Sequence, residues 1–178
     1  MAEMPEVVTH RYDPARGACL NVCSLSDLEA SHVLERLRRE SRPTLKADYL
    51  ARRHATEAWL AEAASEALGR IIGRRPVYFF LGDFSYLVDP SRPAALVVPL
   101  ANLQGDAITF TLGDSMSVAE ESGRRVYTLQ EIVRLFEEDK RMAGFGFSDR
   151  EGFQARFIEV QVWERMGLAV DGTARATD

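Results

Sequence analysis

Apolar and polar positions divide the chain into short blocks whose spacing switches between the two regular periods. ACLNVCSL, from Ala18 to Leu25, is a short apolar run and reads as a first strand. Ser26 and Glu29 in SDLE then form a capping-box pattern, and Ala30, Val33, Leu34 and Leu37 recur at helical spacing up to about Glu40. Arg42-Pro43 breaks that pattern. A second helix is predicted from about Leu45 or Asp48 to Leu68 and is stopped by Gly69. Its stripe carries Tyr49, Arg53, Thr56, Leu60, Ala63, Ala64 and Ala67.

RPVYFFLGDF is short and rich in β-formers, and predicts a buried strand ending at Gly82-Asp83. A turn follows through Asp89-Pro90-Ser91-Arg92-Pro93. AALVVPLANL and AITFTLGDSM predict two further strands divided by Gly105-Asp106. Thr128 and Glu131 repeat the capping box, with Ile132, Leu135 and Phe136 lining a third helix. KRMAGFGFSDREGF is glycine-rich and unpatterned, as a mobile loop would be. RFIEVQVW is the last strand. With period two, Arg156, Ile158, Val160 and Val162 share one face, and Phe157, Glu159, Gln161 and Trp163 the other. Glu159 therefore lies between two large aromatics, where an unpaired charge is expensive.

Irregular alternation of strands and helices predicts an α+β fold. The expected form is a single domain with a mixed or antiparallel sheet of about five to six strands and three main helices. Residues 1–17 are expected to be a flexible lead-in, 18–166 the globular domain and 167–178 a disordered tail.

Composition narrows the function classes. The 178 residues are 46% hydrophobic and 28% charged, enough for one well-buried core. A net charge of -5, from 22 basic and 27 acidic residues, gives no general attraction to nucleic acid or membrane, so any basic surface must be local. VYFFL and AALVVPLA are too short to span a bilayer, and the acidic, polar N-terminus is unlike a signal peptide, so the expected location is cytoplasmic. Cys19 and Cys23, without a second pair or clustered histidines, support neither a disulfide framework nor a zinc site. No metal is expected.

Most candidate chemistry has a plainer explanation. Gly144, Gly146 and Gly152 neither follow a strand nor open a helix, Ser115 lacks a GxSxG setting, and His32 and His54 fall within helical patterns. His10, in THRYD, lies outside any predicted helix. The basic run from Arg36 to Arg53 is diluted by Glu35, Glu40 and Asp48 and reads as a solvated helix face. Arg53 is different. On an apolar stripe, an arginine snorkels, pairs with a carboxylate or binds phosphate, and Glu159 is an available partner.

These residues together suggest a family. VYFFLG, then FTLGDS, then a late strand with a central Glu resemble the order of segments in DarT-type DNA ADP-ribosyltransferases, over roughly residues 49 to 163. The family has an aromatic VPFYF-like strand, an FTDGN-like segment and an AEFLV-like strand. The resemblance implies an ADP-ribosyltransferase-like fold that uses NAD as substrate and modifies a nucleic-acid or protein acceptor, as a bacterial toxin or antiphage protein would. It implies a catalytic role for Glu159 and NAD contacts from Arg53 or Arg52 on the helix and Tyr78 on the aromatic strand. His10 or Asn21 takes the place of the N-terminal NAD-binding residue. The Asn of FTDGN is missing, with Asp114 and Ser115 near its place. The alternative is a non-catalytic binding or structural domain with a buried Arg53–Glu159 ion pair.

Overall fold

A computed structural model describes residues 3–138, 142, 157–168 and 174–176. Its centre is a five-stranded antiparallel sheet. The strands are β1 (Val7–Tyr12), β2 (Val77–Leu81), β3 (Ala94–Pro99), β4 (Ile108–Thr111) and β5 (Glu159–Val162), in the spatial order β3-β1-β2-β5-β4. Among the described residues four helices accompany it: α1 (Asp27–Glu40), α2 (Tyr49–Leu68), the single turn α3 (Ser115–Val118) and α4 (Leu129–Glu138). The α+β expectation holds, with the sheet antiparallel and three of the helices substantial.

Local sequence explains the helix boundaries. Ser26 and Glu29 form the expected reciprocal cap on α1, with Ser26 N donating to Glu29 Oε2 at 2.9 Å. Thr128 N likewise donates to Glu131 Oε2 at 2.8 Å before α4. Gly69 ends α2 in the left-handed conformation at φ 65°, which glycine adopts without a Cβ clash.

The two sheet faces have different chemistry. One carries Val77, Phe79 and Leu81 of β2, Ile108 and Phe110 of β4, and Val160 and Val162 of β5, covered by Ile132 and Phe136 of α4. On the opposite face α2 packs Leu60 and Ala64 against Trp163. Register aligns the β5 residues of this second face with their neighbours: Glu159 is opposite Phe80 on one side and Thr111 on the other, and Gln161 is opposite Tyr78 and Thr109. β5 is thus an interior strand that presents two polar side chains beneath α2.

Three expectations need correction. The supposed lead-in contains β1, an interior strand whose Val8, Thr9, His10 and Arg11 are all buried. Its polar side chains find distant partners: Thr9 Oγ1 donates to Gly82 O at 2.6 Å, and Arg11 donates to the carbonyls of Arg92, Ser85 and Pro93. The supposed strand over 18–25 is instead a bend followed by a 3-10 turn, Val22–Ser24. Cys19 adopts φ 61°, and Asn21 Oδ1 captures the Cys23 N–H at 2.8 Å. In the supposedly disordered tail, β6 (Met166–Leu168) pairs antiparallel with β7 (Ala174–Ala176). Apart from Met142, which is buried, and Phe157, the expected mobile loop and the start of RFIEVQVW lie outside the described residues. Among the described residues no helix is long and apolar enough to cross a membrane.

Candidate functional site

The register of β5 places Glu159 at a cavity of about 480 Å³ whose lining includes Arg53, Tyr78, Phe80, Asp114, Phe157 and Tyr49. Arg53, Tyr78 and Glu159, which the sequence singled out separately, therefore share one concavity. Each comes from a different rigid element. Arg53 is on the inward stripe of α2, Tyr78 on β2 and Glu159 on β5. Its volume falls in the range of roughly 300 to 1,000 Å³ common for small-molecule sites.

The Arg53 guanidinium carbon lies over the Tyr78 ring, 4.0 Å from the centroid, a cation–π arrangement. Its ion pair is with Glu57, one helical turn on, Nε to Oε1 3.5 Å. Glu57 is 1% exposed. The same Oε1 accepts from Asn21 Nδ2 at 2.8 Å and from the Tyr78 hydroxyl at 3.1 Å. Oε2 has Arg75 Nη1 at 3.3 Å as an ion pair but lacks a hydrogen bond. Glu57 thus fastens Arg53, Tyr78 and Asn21 at once. It escaped notice in the sequence, although its spacing of four from Arg53 on an inward stripe was a usable signal.

Glu159 is 6% exposed and has no salt bridge to Arg53 within 4.0 Å. Gln161 Nε2 donates to its Oε1 at 3.1 Å. Burial pushes its carboxyl pKa above the ordinary glutamate value; Arg53 opposes that rise, Asp114 adds to it, and Ser115 and Gln161 oppose it by hydrogen bonding. Ser115 is fully buried, and its Oγ also lies 3.5 Å from Arg53 Nη1, at the long limit of a hydrogen bond. Phe80 and Phe157 meet edge to face at 5.1 Å and form an aromatic wall of the cavity. Trp163 sits beyond Gln161 on the same face, with its indole N–H on Thr109.

His10 and Asn21 both border the cavity, but their hydrogen-bonding atoms serve the scaffold. The two ring nitrogens of His10 face the carbonyl of Tyr78, at 2.7 Å from Nδ1, and the N–H of Cys19, at 2.9 Å from Nε2. That pairing fixes the neutral tautomer with the proton on Nδ1. Burial lowers the His10 pKa to about 4. Asn21 donates to Glu57 and to the Pro76 carbonyl, and caps Cys23. Arg52 does not line the cavity; it pairs with Glu120. Much of the basic run is likewise engaged locally, with Arg36 on Asp13, Arg38 on the Leu45 and Lys46 carbonyls, and Arg42 on Asp89 and Ser91. Among the described residues there is no cluster of three or more His, Cys, Asp or Glu arranged to hold a metal ion.

Chemically, the arrangement offers a cation and a carboxylate that line one cavity without contacting each other. Such a pair can engage a ligand with separated charges, anionic near Arg53 and developing positive charge near Glu159. No family model, curated protein or solved structure matches this chain.

Proposed function

We propose that the protein is an ADP-ribosyltransferase that uses NAD as a substrate and transfers ADP-ribose to a nucleic-acid or protein acceptor. The supporting observation is that Glu159, Arg53 and Tyr78, the residues to which the resemblance to DarT-type enzymes gives roles, line one cavity. The residues present suit the chemistry. Cleavage of the bond between nicotinamide and ribose releases neutral nicotinamide and leaves positive charge shared between the ribose C1′ and its ring oxygen. A carboxylate held in a water-poor cavity stabilises that charge as it develops. The acceptor nucleophile then bonds to C1′ and loses its proton. Arg53 supplies a fixed cation for the diphosphate, and its guanidinium is already oriented by Glu57 and Tyr78.

The structural alternative, in which Glu159 is the buried partner of Arg53, lacks its central contact because Arg53 pairs with Glu57 instead. Incubation with NAD labelled in its adenosine portion, offering DNA, RNA and protein in separate reactions, tests the enzyme reading. Label transfer or nicotinamide release is expected from the wild type, and loss of both from Glu159→Gln. Arg53→Ala should weaken NAD binding strongly, whereas Arg52→Ala should behave as wild type because it lies outside the cavity. Neither transfer nor nicotinamide release by the folded wild type with any acceptor would overturn the proposal.

A further inference from the structure

Behind Glu159 runs a continuous chain of buried hydrogen bonds in which each donor meets the next acceptor. It begins at Trp163, whose indole N–H can only donate, and does so to Thr109 Oγ1 at 2.8 Å. Thr109 then directs its own proton to Gln161 Oε1 at 3.1 Å. The oxygen of the Gln161 amide is thereby held toward Thr109, so its NH₂ group faces the other way. Its two hydrogens go to Thr111 Oγ1 at 3.0 Å and to Glu159 Oε1 at 3.1 Å. Thr111 closes the branch by donating to the Gly113 carbonyl at 3.0 Å.

Antiparallel register makes the chain possible, because Thr109 lies opposite Gln161 and Thr111 opposite Glu159 on one face of β4 and β5. Thr109, Thr111 and Gln161 are each 0% exposed, so bulk water does not substitute for a missing partner. With the amide reversed, a carbonyl oxygen would face the Glu159 carboxylate, and two acceptors would be left in contact without a proton.

We infer that Trp163, Thr109 and Gln161 form a positioning chain for Glu159, in which the indole N–H occupies Thr109, Thr109 donates to the Gln161 carbonyl, and the Gln161 N–H so turned toward Glu159 holds and favours the ionised carboxylate. Gln161 touches Glu159 directly; Thr109 and Trp163 act on it only through Gln161. The inference deepens the assignment of Glu159 as the catalytic group and rests on that reading for its role in turnover. The groups that bear on the carboxylate from the surrounding elements are Arg53 from α2, Asp114 and Ser115 at the start of α3, and Tyr78 from β2. Arg53 and the Ser115 hydroxyl act in the same sense as Gln161, and Asp114 in the opposite sense.

The experiment is a carbon-13 NMR titration of carboxyl-labelled glutamate, with the Glu159 signal assigned from its absence in Glu159→Gln. Gln161→Leu should raise the Glu159 midpoint by about one pH unit, the scale of one hydrogen bond to a charged group. Thr109→Val, which leaves every group touching Glu159 in place, should raise it in the same direction, and Thr109→Ser should restore it. If Thr109→Val does not fold, Trp163→Phe removes the obligate donor and is read in the same way. A folded Thr109→Val or Trp163→Phe protein with the wild-type Glu159 midpoint would overturn the inference, because a merely structural chain would lower stability and leave the titration alone. The titration needs no NAD turnover. A shifted midpoint in a protein that does not act on NAD would therefore defeat the transferase reading and leave the positioning chain standing.

Discussion

Arg53 pairs along its own helix with Glu57, Nε to Oε1 3.5 Å, and not across the cavity with Glu159. The two acidic residues near this arginine thereby divide their work. Glu57 is fully enclosed, accepts from Asn21 and Tyr78 and pairs with Arg53 and Arg75, whereas Glu159 borders open space.

Glu57→Gln should be the more damaging of the two acid-to-amide changes for stability. It removes the charge opposite the buried Arg53 and puts an amide where Asn21, Tyr78 and Arg53 all need an acceptor. A loss of about 3 kcal/mol is expected in urea denaturation, as for other buried pairs broken on one side. Tyr78→Phe, which deletes one of those donors, should cost about 1 kcal/mol. Wild-type midpoints in both variants would contradict the role given to Glu57.

Glu159→Gln should be neutral or stabilising at pH 7. Burial raises the folded-state pKa of Glu159 above its ordinary 4.5, so its contribution to stability is fully present below pH 4.5 and is lost as pH rises through the folded value. A glutamine carries no such loss, so the variant should be at least as stable as the wild type at pH 7, and any gain should disappear toward pH 4. Denaturation of both proteins at the two pH values measures this. A loss of several kcal/mol at pH 7 would return Glu159 to the role of structural counter-ion.

His10 should make the fold acid-sensitive in a defined window. Its pKa falls from 6.5 to about 4 on folding, mainly through burial. Protonation would add an Nε2–H pointing at the Cys19 N–H. The sign is that of a depressed pKa: stability is fully present above pH 6.5 and is lost as pH falls toward 4, by about 3 kcal/mol in all. NMR of the imidazole should show no titration above pH 5, and His10→Gln should flatten the dependence of stability on pH across the same interval.

Elements that carry their own punctuation were legible in the sequence. The boxes Ser26/Glu29 and Thr128/Glu131, Gly69 at the end of α2 and the alternation in RFIEVQVW each depend on neighbours a few residues away. Arg53 and Glu159 stood out as charges on inward faces and Tyr78 through the resemblance, but the single cavity that joins them is a product of the sheet register and the packing of α2. β1 was not legible. VVTHRY places Thr9, His10 and Arg11 in its middle, and their burial depends on Gly82, Tyr78, Ser85, Arg92 and Pro93, far away in the chain. The opposite error fell on ACLNVCSL, whose apolar composition suits a strand while Asn21 and the left-handed Cys19 turn the backbone aside. Glu57 lay in plain spacing, but nothing local revealed that Asn21, Tyr78, Arg53 and Arg75 converge on it.

β5 is only four residues long, and its alternate positions answer to different demands. Val160 and Val162 are locked into the apolar face, while Glu159 and Gln161 belong to the cavity side. A slip of one residue would exchange the two sets entirely. The apolar side therefore acts as the datum from which the position of the carboxylate is measured.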